Sequence, residues 1–294
     1  MKQKLNVIIS LVVLLNATLF GVALAEEVHW GYEGEHGPAH WGEMDPAYTL
    51  CATGLEESAI DIASTAPLNP ADLAFAYGPS GLTIVNNGHT IQANYKAGST
   101  VQIDGRPYEL LQFHFHRPSE HTVDGGDLPM ELHLVHRNDT EGLAVVGVFL
   151  VEGAENAALA PVFDHMPAEE GEPETIEGVT IHAADLLPAD QRYWRYDGSL
   201  TTPPCSEAVK WHVMQTPVEV SAAQLAAYEA IFHLNARPVQ PFNAREFILG
   251  QAPITLPVTG APLSGNPLFA VVVVVGVLAA ANLVIIVVAR RKHE

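Results

Sequence analysis

"LQFHFHRPSEHTVDGGDLPMELHLVHRN", residues 111–138, contains five histidines and two glutamates. Side chains at positions i and i+2 of a β-strand lie on the same face. The "FHFH" run therefore predicts a strand with Gln112, His114 and His116 on one face. Phe113 and Phe115 then lie on the opposite face, which we expect to be buried in a core.

A second strand-like run follows in "ELHLVH", where Glu131, His133 and Val135 lie on one face by the same alternation. Turn residues at 124–127, "DGGD", allow the two strands to pair antiparallel in one sheet. His133 then completes a set of three imidazoles with the two histidines of the first strand. Three neutral nitrogens suit zinc, and a catalytic zinc keeps its fourth position for water.

Two other histidines, His121 and His136, are alternatives for the third ligand. His136 faces away from Glu131, whereas His133 shares its face with that carboxylate. A carboxylate beside a metal-binding imidazole commonly fixes the tautomer of the ring. The alternation therefore favours His133 and leaves the other two open. The remaining alternative is a set of ordinary sheet histidines with hydrogen-bond partners and no metal.

The rest of the sequence predicts a mainly β (α+β) domain over residues 26–252. Short alternating or β-branched runs recur between turn residues, and helices are few. The best helix begins after Val220, where Ser221 and Gln224 form a capping box, and it is expected to end near His233. The acidic stretch "EEGEPETIEG", residues 169–178, is predicted to be a surface loop.

The first 25 residues have the three parts of a secretory signal. They are a basic start at Lys2 and Lys4, an apolar stretch, and the small-residue cleavage site Ala23-Leu24-Ala25. The sequence therefore predicts an exported chain. An N-terminal anchor that is never cleaved is the alternative.

The other end contains "LPVTG" within a Pro/Gly-rich spacer, residues 253–267. Residues 268–289 carry no charge and are long enough to span a bilayer, and residues 290–294 form a basic tail that we expect to stay cytoplasmic. The arrangement resembles a sortase sorting signal, in which a sortase cuts between Thr259 and Gly260. A plain transmembrane anchor is the alternative. Either predicts an extracellular domain anchored to the cell wall or the plasma membrane.

Charge and cysteine content limit the partners of the domain. The chain has 14 basic against 34 acidic residues, and its net charge of −20 repels phosphate backbones, so nucleic acid is not an expected partner. Cys51 and Cys205 are the two cysteines, and in an oxidising exterior we expect them to form a disulfide rather than remain free thiols. A thiolate zinc site would need more of them.

Seven blocks in the same order resemble the α-class carbonic anhydrases, closest to the bacterial secreted branch, from His29 to Arg245. The blocks are "HWGYEGEHGPAHW", "NNGHT", "LQFHFHRPSEHTVDG", "MELHLVHRN", "GLAVVGVFL", "YWRYDGSLTTPPCSEAVKW" and "LNARPVQP". The resemblance implies a large, mostly antiparallel central sheet with short peripheral helices and zinc at the floor of a conical cleft. It also implies reversible hydration of carbon dioxide to bicarbonate by hydroxide held on zinc.

The resemblance also implies a role for individual residues, motif by motif. The zinc ligands are His114, His116 and His133, with Gln112 and Glu131 as the hydrogen-bond partners of two of them. Glu120 in "PSEH" and Thr201 in "SLTTPP" orient the attacking hydroxide, and Thr202 contacts bicarbonate. The apolar wall for carbon dioxide is Val135, Val145, Leu200 and Trp211. The proton shuttle is His89, and the residues that order the intervening waters are Tyr32, Asn87 and Gln92.

The sequence departs from the family in one motif. Where the family usually has Gln-Ser-Pro-Ile, this chain has Glu57-Ser58-Ala59-Ile60. The two cysteines lie where exported members of the family have their disulfide. Two other functions compete with hydration: a non-catalytic carbonic-anhydrase-like surface domain for binding or adhesion, and zinc-dependent ester hydrolysis as a side activity. Non-catalytic members lose ligand histidines, and all three are present here.

Overall fold

The structure is a computed structural model that describes residues 28–249. These residues belong to one of the two compact units of the chain, Met1–Gly250. The predicted signal at 1–25, the spacer at 253–267, the span at 268–289 and the basic tail lie outside the described residues. No helix between residues 28 and 249 is long and apolar enough to cross a membrane.

Most of the regular secondary structure in residues 28–249 is β-strand. The strands are β1 Asp61–Ile62, β2 Ala74–Ala76, β3 Pro79–Asn86, β4 Ile91–Asn94, β5 Thr100–Ile103, β6 Arg106–His116, β7 Thr122–Val123, β8 Met130–Arg137, β9 Leu143–Glu152, β10 Glu174–His182, β11 Tyr193–Ser199, β12 Glu207–Met214 and β13 Val218–Val220. The helices are α1 Trp41–Met44, α2 Leu50–Thr53, α3 Ala160–Phe163 and α4 Ala222–Glu229, with short 3₁₀ turns at Gly34–His36, Pro46–Tyr48 and Ala183–Leu186.

Eleven strands form one sheet with the order β10-β3-β4-β6-β8-β9-β12-β11. Strand β5 pairs with both β6 and β2, and β13 pairs with β9. Most neighbours are antiparallel, and the exceptions in this sheet are β12 and β13, which run parallel to β9. The prediction of a large, mostly antiparallel sheet with short peripheral helices is therefore confirmed.

The two faces of the sheet carry different cores because the side chains of β6 and β8 alternate. Phe113 and Phe115 are fully buried in the main core, as predicted, together with Leu132 and Leu134 of β8. The opposite face carries a second hydrophobic cluster that contains Trp211. The predicted histidine face of β6 is on this second side of the sheet, so the polar site and the main core lie on opposite faces.

Two expectations about individual elements hold only in part. The capping box of Ser221 and Gln224 is confirmed, but α4 ends at Glu229 rather than near His233. The prediction of a loop over 169–178 is wrong in part, since β10 begins at Glu174 and pairs with β3. Most side chains of β10 are exposed, so the strand lacks the hydrophobic alternation that identifies a half-buried strand in a sequence.

Candidate active site

The pairing register of β6 and β8 brings three histidines together. His114 lies directly opposite His133, and His116 lies opposite Glu131. The ring centroids are 5.0 Å apart for His114 and His116, 5.3 Å for His114 and His133, and 4.6 Å for His116 and His133. One ligand nitrogen from each of the three rings lies within 4.8 Å of the others. The predicted ligand set is therefore assembled by strand register alone.

Two of the three rings are oriented by neutral acceptors. His114 Nδ1 donates to Gln112 Oε1 over 2.9 Å, and His116 Nδ1 donates to the Asn235 carbonyl over 2.7 Å. A neutral imidazole has one N–H, so in both rings the remaining nitrogen, Nε2, carries a lone pair. The hydrogen bonds thus fix the tautomer that a metal requires.

The nitrogen left over on His116 is the clearest sign of a missing partner. His116 is 1% exposed, and its Nε2 has no hydrogen-bond partner among residues 28–249. Buried polar atoms are rarely left unpaired, and such an atom in a native fold calls for an explanation. Loss of solvation lowers the pKa of His116 and holds that of His114 well below its ordinary value. Neutral rings with converging lone pairs fit a divalent zinc ion.

The third ring is oriented by a charged acceptor. Glu131 is fully buried, and its Oε1 accepts from His133 Nε2 over 2.9 Å, which leaves His133 Nδ1 with the lone pair. The same carboxylate accepts from His121 Nδ1 and from the backbone N–H groups of Glu120 and His121. Burial raises the pKa of Glu131, but the adjacent His121 and His133 rings and the hydrogen bonds that they donate outweigh burial and hold this pKa well below its ordinary value.

The two alternative ligands are placed elsewhere. Both ring nitrogens of His121 have hydrogen-bond partners: Nδ1 donates to Glu131, and Nε2 lies 2.7 Å from the Tyr196 hydroxyl. His136 belongs to the opposite face of β8, where its Nε2 lies 2.6 Å from the Tyr77 hydroxyl. The geometry therefore favours His133 over both.

Glu120 is beside the histidine cluster. It is 1% exposed, its Oε1 accepts from the Arg237 backbone N–H over 2.9 Å, and its Oε2 lies 3.9 Å from His133 Nδ1. Oε2 has no hydrogen-bond partner among residues 28–249. The predicted bond from Thr201 to Glu120 is not among the hydrogen bonds of the described residues, and it stays a prediction.

Thr201 lies in a short loop between β11 and β12. Its side chain is buried, and the loop is closed by Leu200 N–H donating to the Ser206 carbonyl and Cys205 N–H donating to the Thr202 carbonyl. The predicted disulfide between Cys51 and Cys205 is present and joins this loop to α2. The hydroxyl-bearing loop is therefore held by a covalent bond a few residues away from Thr201.

Three of the four predicted wall residues occupy one row across the sheet. Val135 of β8 pairs with Val145 of β9, and Val145 pairs with Trp211 of β12. The next row along β8 contains His133. Leu200 packs against the same hydrophobic cluster. The structure thus brings the predicted apolar residues together beside the histidines.

His89 lies in the turn between β3 and β4 and is half-buried. Its ring stacks on Trp30, with centroids 3.6 Å apart and planes 7° from parallel. Asn87 Oδ1 accepts from the backbone N–H groups of His89 and Thr90, so this oxygen holds the turn. Gln92, which pairs with His114 across the strands, donates to Asn94. Tyr32 packs with Trp30 in the small cluster around the disulfide.

Sequence reasoning missed three residues that contact the site. Asn235 and Arg237 support His116 and Glu120 through their backbone, and Tyr196 closes the hydrogen-bond chain that starts at Glu131. A backbone contact leaves no side-chain pattern in a sequence. The available signals were two blocks in which these residues occur without an assigned role: "LNARPVQP" for Asn235 and Arg237, and "YWRYDGSLTTPPCSEAVKW" for Tyr196.

Comparisons with known proteins identify the family of the chain. A family model described as eukaryotic-type carbonic anhydrase matches residues 36–249. The carbonic anhydrase of Nostoc sp. is 48% identical over 228 residues, which cover 76% of this chain and 86% of that protein. That of Pectobacterium carotovorum is 42% identical over 252 residues and covers 84% of this chain and 100% of that protein.

Solved structures give the same result. The α-carbonic anhydrase of Thermovibrio ammonificans, in complex with the inhibitor sulfanilamide, matches with a TM-score of 0.73 and 42% identity over 76% of this chain and 100% of that chain. The α-carbonic anhydrase of Photobacterium profundum matches with a TM-score of 0.69 and 44% identity over the same shares. On fold, sequence and the arrangement of its histidines, the chain belongs to the family of eukaryotic-type, or α-class, carbonic anhydrases.

Proposed function

We propose that this carbonic anhydrase hydrates carbon dioxide reversibly to bicarbonate and a proton with one zinc ion bound by His114, His116 and His133. The observation that carries the proposal is the buried Nε2 of His116, which has no hydrogen-bond partner in the described part of the chain and lies beside two rings with complementary tautomers. Zinc bound there supplies hydroxide at neutral pH by lowering the pKa of a water to about 7, a value for which carbonic anhydrases are themselves the reference case.

Glu120 and Thr201 are proposed to orient the nucleophile. A buried Glu120 carboxylate can only accept hydrogen bonds, so a Thr201 hydroxyl that donates to it must accept on its own oxygen. That ordering directs the lone pair of the nucleophile toward the substrate. Two observations support this pair: Glu120 Oε2 has no hydrogen-bond partner within residues 28–249, and Thr201 is buried.

Carbon dioxide is apolar and offers no hydrogen-bond donor, so its binding depends on an apolar surface. We assign this surface to the row of Val135, Val145 and Trp211 together with Leu200.

Release of the products involves other residues. Thr202 is proposed to contact bicarbonate. His89 is proposed to carry the proton to solvent, because an imidazole with an ordinary pKa near 6.5 exchanges protons at neutral pH. Tyr32, Asn87 and Gln92 are proposed to order the waters between.

The test is a measurement of zinc content and of stopped-flow carbon dioxide hydration on the purified protein. We expect one zinc per chain, loss of hydration after removal of zinc by a chelator, and recovery when zinc is added back. Protein that binds no zinc under excess zinc would contradict the proposal. Protein that binds zinc but does not hydrate carbon dioxide would favour the non-catalytic surface domain, and ester hydrolysis without hydration would favour the esterase.

We also propose that the domain is exported and anchored by its C-terminus to the cell wall or the plasma membrane. Support comes from the signal-like residues 1–25, the LPVTG motif before an apolar span, and the disulfide, since such bonds persist mainly in oxidising compartments. Mass spectrometry of the mature C-terminus tests the mode of anchoring. A chain ending at Thr259 joined to a wall fragment supports the sortase mode, and an intact C-terminus supports a retained span.

A further inference from the structure

Arg237 is a buried cation with several partners outside the histidine cluster. The residue is 2% exposed, and Nη1 donates to Glu57 Oε2 over 2.6 Å and to the Ser58 carbonyl over 2.8 Å. Nη2 donates to the Cys51 carbonyl over 3.0 Å. Glu57 is itself 4% exposed. The guanidinium therefore fastens its own chain segment to the segment 51–58 at three separate acceptors.

The segment fastened in this way also supports the active site. The Arg237 backbone N–H donates to Glu120 Oε1, and two residues earlier the Asn235 carbonyl accepts from His116 Nδ1. One short stretch of chain thus orients both the carboxylate beside the histidines and one of the three rings. Asn235 has additional anchors of its own, since its side chain accepts from the Arg117 N–H and donates to the Phe115 carbonyl. Arg237 is anchored by its own side chain, through the three bonds to the segment 51–58.

Glu57 supplies the only carboxylate in contact with the Arg237 side chain among the described residues. Removing the Glu57 side chain leaves the buried guanidinium with neither its counter-charge nor this acceptor for Nη1, which is strongly unfavourable, so the guanidinium is driven to move toward solvent. Such a movement would pull the Arg237 amide away from Glu120. Glu57 also stands at the position where the family usually has glutamine, so the negative charge is a feature of this chain.

We propose that Glu57 and Arg237 are positioning residues, whose buried ion pair holds Glu120 in place directly and supports the zinc ligand His116 through the chain segment that Arg237 shares with Asn235. The proposal rests on the zinc site of the proposed function. It predicts that loss of the pair affects zinc retention and turnover, whereas a merely structural pair would affect only the resistance of the protein to unfolding.

The test compares Glu57→Ala with Glu57→Gln and with the matched control Asp104→Ala. Asp104 pairs with the buried Arg195 through two hydrogen bonds in the turn before β6, at the far end of that strand from His114. For each full-length variant we measure zinc release to a chelator, kcat and KM for hydration, the melting temperature, and hydrogen exchange at the Arg237 amide in the metal-free protein.

We expect Glu57→Ala to release zinc about tenfold faster and to lose about tenfold in kcat at unchanged KM, as removal of a residue that supports a metal ligand commonly does. Glu57→Gln keeps an acceptor for Nη1 and should stay within about threefold of the unmodified protein. Asp104→Ala should lower the melting temperature and leave zinc release unchanged. In the metal-free protein, Glu57→Ala should speed exchange at the Arg237 amide, and Asp104→Ala should not.

Equal effects of Glu57→Ala and Asp104→Ala on zinc release, kcat and amide exchange would overturn the inference. If Glu57→Ala does not fold, Arg237→Lys replaces it, because the single nitrogen of lysine cannot take the place of both Nη1 and Nη2. Unchanged zinc release, kcat and amide exchange in that variant would also overturn the inference. If the unmodified protein binds no zinc, the proposed function fails, and the amide-exchange result still decides whether the ion pair holds Glu120.

Discussion

At the scale of single residues, hydrogen bonds determine which nitrogen of each clustered imidazole is available to a metal. His114 and His116 donate a hydrogen bond from Nδ1, which leaves Nε2 for a metal. His133 donates from Nε2, which leaves Nδ1. The opposite choice in His133 follows from its acceptor, since Glu131 lies beside it on the same strand face. In the sequence, strand alternation pointed to His114 and His116 and favoured His133 over His121 and His136, and the resemblance to the family then selected His133. The sequence had no means of identifying the Asn235 carbonyl, because backbone groups look the same at every position.

Thr201→Ala tests the orientation of the nucleophile. We expect zinc content to stay at one per chain and kcat/KM for hydration to fall about 100-fold, because the variant loses a positioned hydrogen-bonding group at the reacting oxygen. Stopped-flow hydration and metal analysis on the same sample check this. Thr202→Ala is the neighbouring control and should bind zinc equally and lose less activity. Unchanged hydration in Thr201→Ala would remove the role proposed for its hydroxyl.

His89→Ala tests the proton shuttle. In dilute buffer we expect kcat to fall about 10- to 100-fold, while kcat/KM changes little, because proton export follows the attack on carbon dioxide. Concentrated imidazole buffer should restore the rate by accepting the proton directly. His40→Gln, at an exposed histidine, is the control and should behave like the unmodified protein. A variant that stays slow in every buffer would instead indicate damage to the fold, and one that is fast in dilute buffer would exclude the role.

At the scale of elements, strand register explains why much of the site could be predicted. A period of two fixes which residues share a face, and the β6–β8 pairing then places His114 against His133 and Val135 beside them. The prediction failed at β10, whose exposed acidic side chains carry no such period. It also gave no account of Glu57, since its partner Arg237 is distant in the sequence and the ion pair forms only in the folded chain.

Gly147 on β9 provides a test at this scale. It pairs with His133, and a Cβ at this position would lie 2.8 Å from Glu131 Oε1. That carboxylate cannot easily move, because it accepts hydrogen bonds from His121, His133 and two backbone amides. We expect Gly147→Ala to displace Glu131 and weaken zinc affinity about 10- to 100-fold.

Chelator competition measures the zinc affinity of Gly147→Ala. The control is Gly126→Ala, where a Cβ would meet nothing closer than 3.4 Å and where the residue lies away from β9. Gly126→Ala should keep the zinc affinity of the unmodified protein. An equal affinity in Gly147→Ala would show that Glu131 can shift without disturbing His133, and that the close approach at this glycine has no consequence for the metal.

At the scale of the whole molecule, the reverse face of the sheet contains two buried histidines that the proposed mechanism does not use. His136 and His212 are both fully buried, and neither nitrogen of His212 has a hydrogen-bond partner among residues 28–249. Burial lowers the pKa of His136 to about 4, and burial followed by the Arg195 cation lowers that of His212 to about 3. The folded protein therefore keeps both rings neutral at pH values where an unfolded chain would protonate them.

The sign of the pH effect follows from that difference. Below an ordinary pKa of about 6.5 the unfolded chain binds protons that the folded chain does not, so the stabilising contribution is complete above pH 6.5 and is lost as the pH falls toward 4. Each histidine contributes a slope of up to about 1.4 kcal/mol per pH unit in this window.

His212→Ile removes one of the two histidines and replaces unpaired polar atoms with an aliphatic side chain that suits a strand. Urea unfolding of the zinc-free protein between pH 4.5 and 7 should show a shallower slope for His212→Ile and a free energy of unfolding about 1 kcal/mol higher at pH 7. His40→Gln should reproduce the slope of the unmodified protein, and parallel curves for all three would show that His212 does not couple folding to protons.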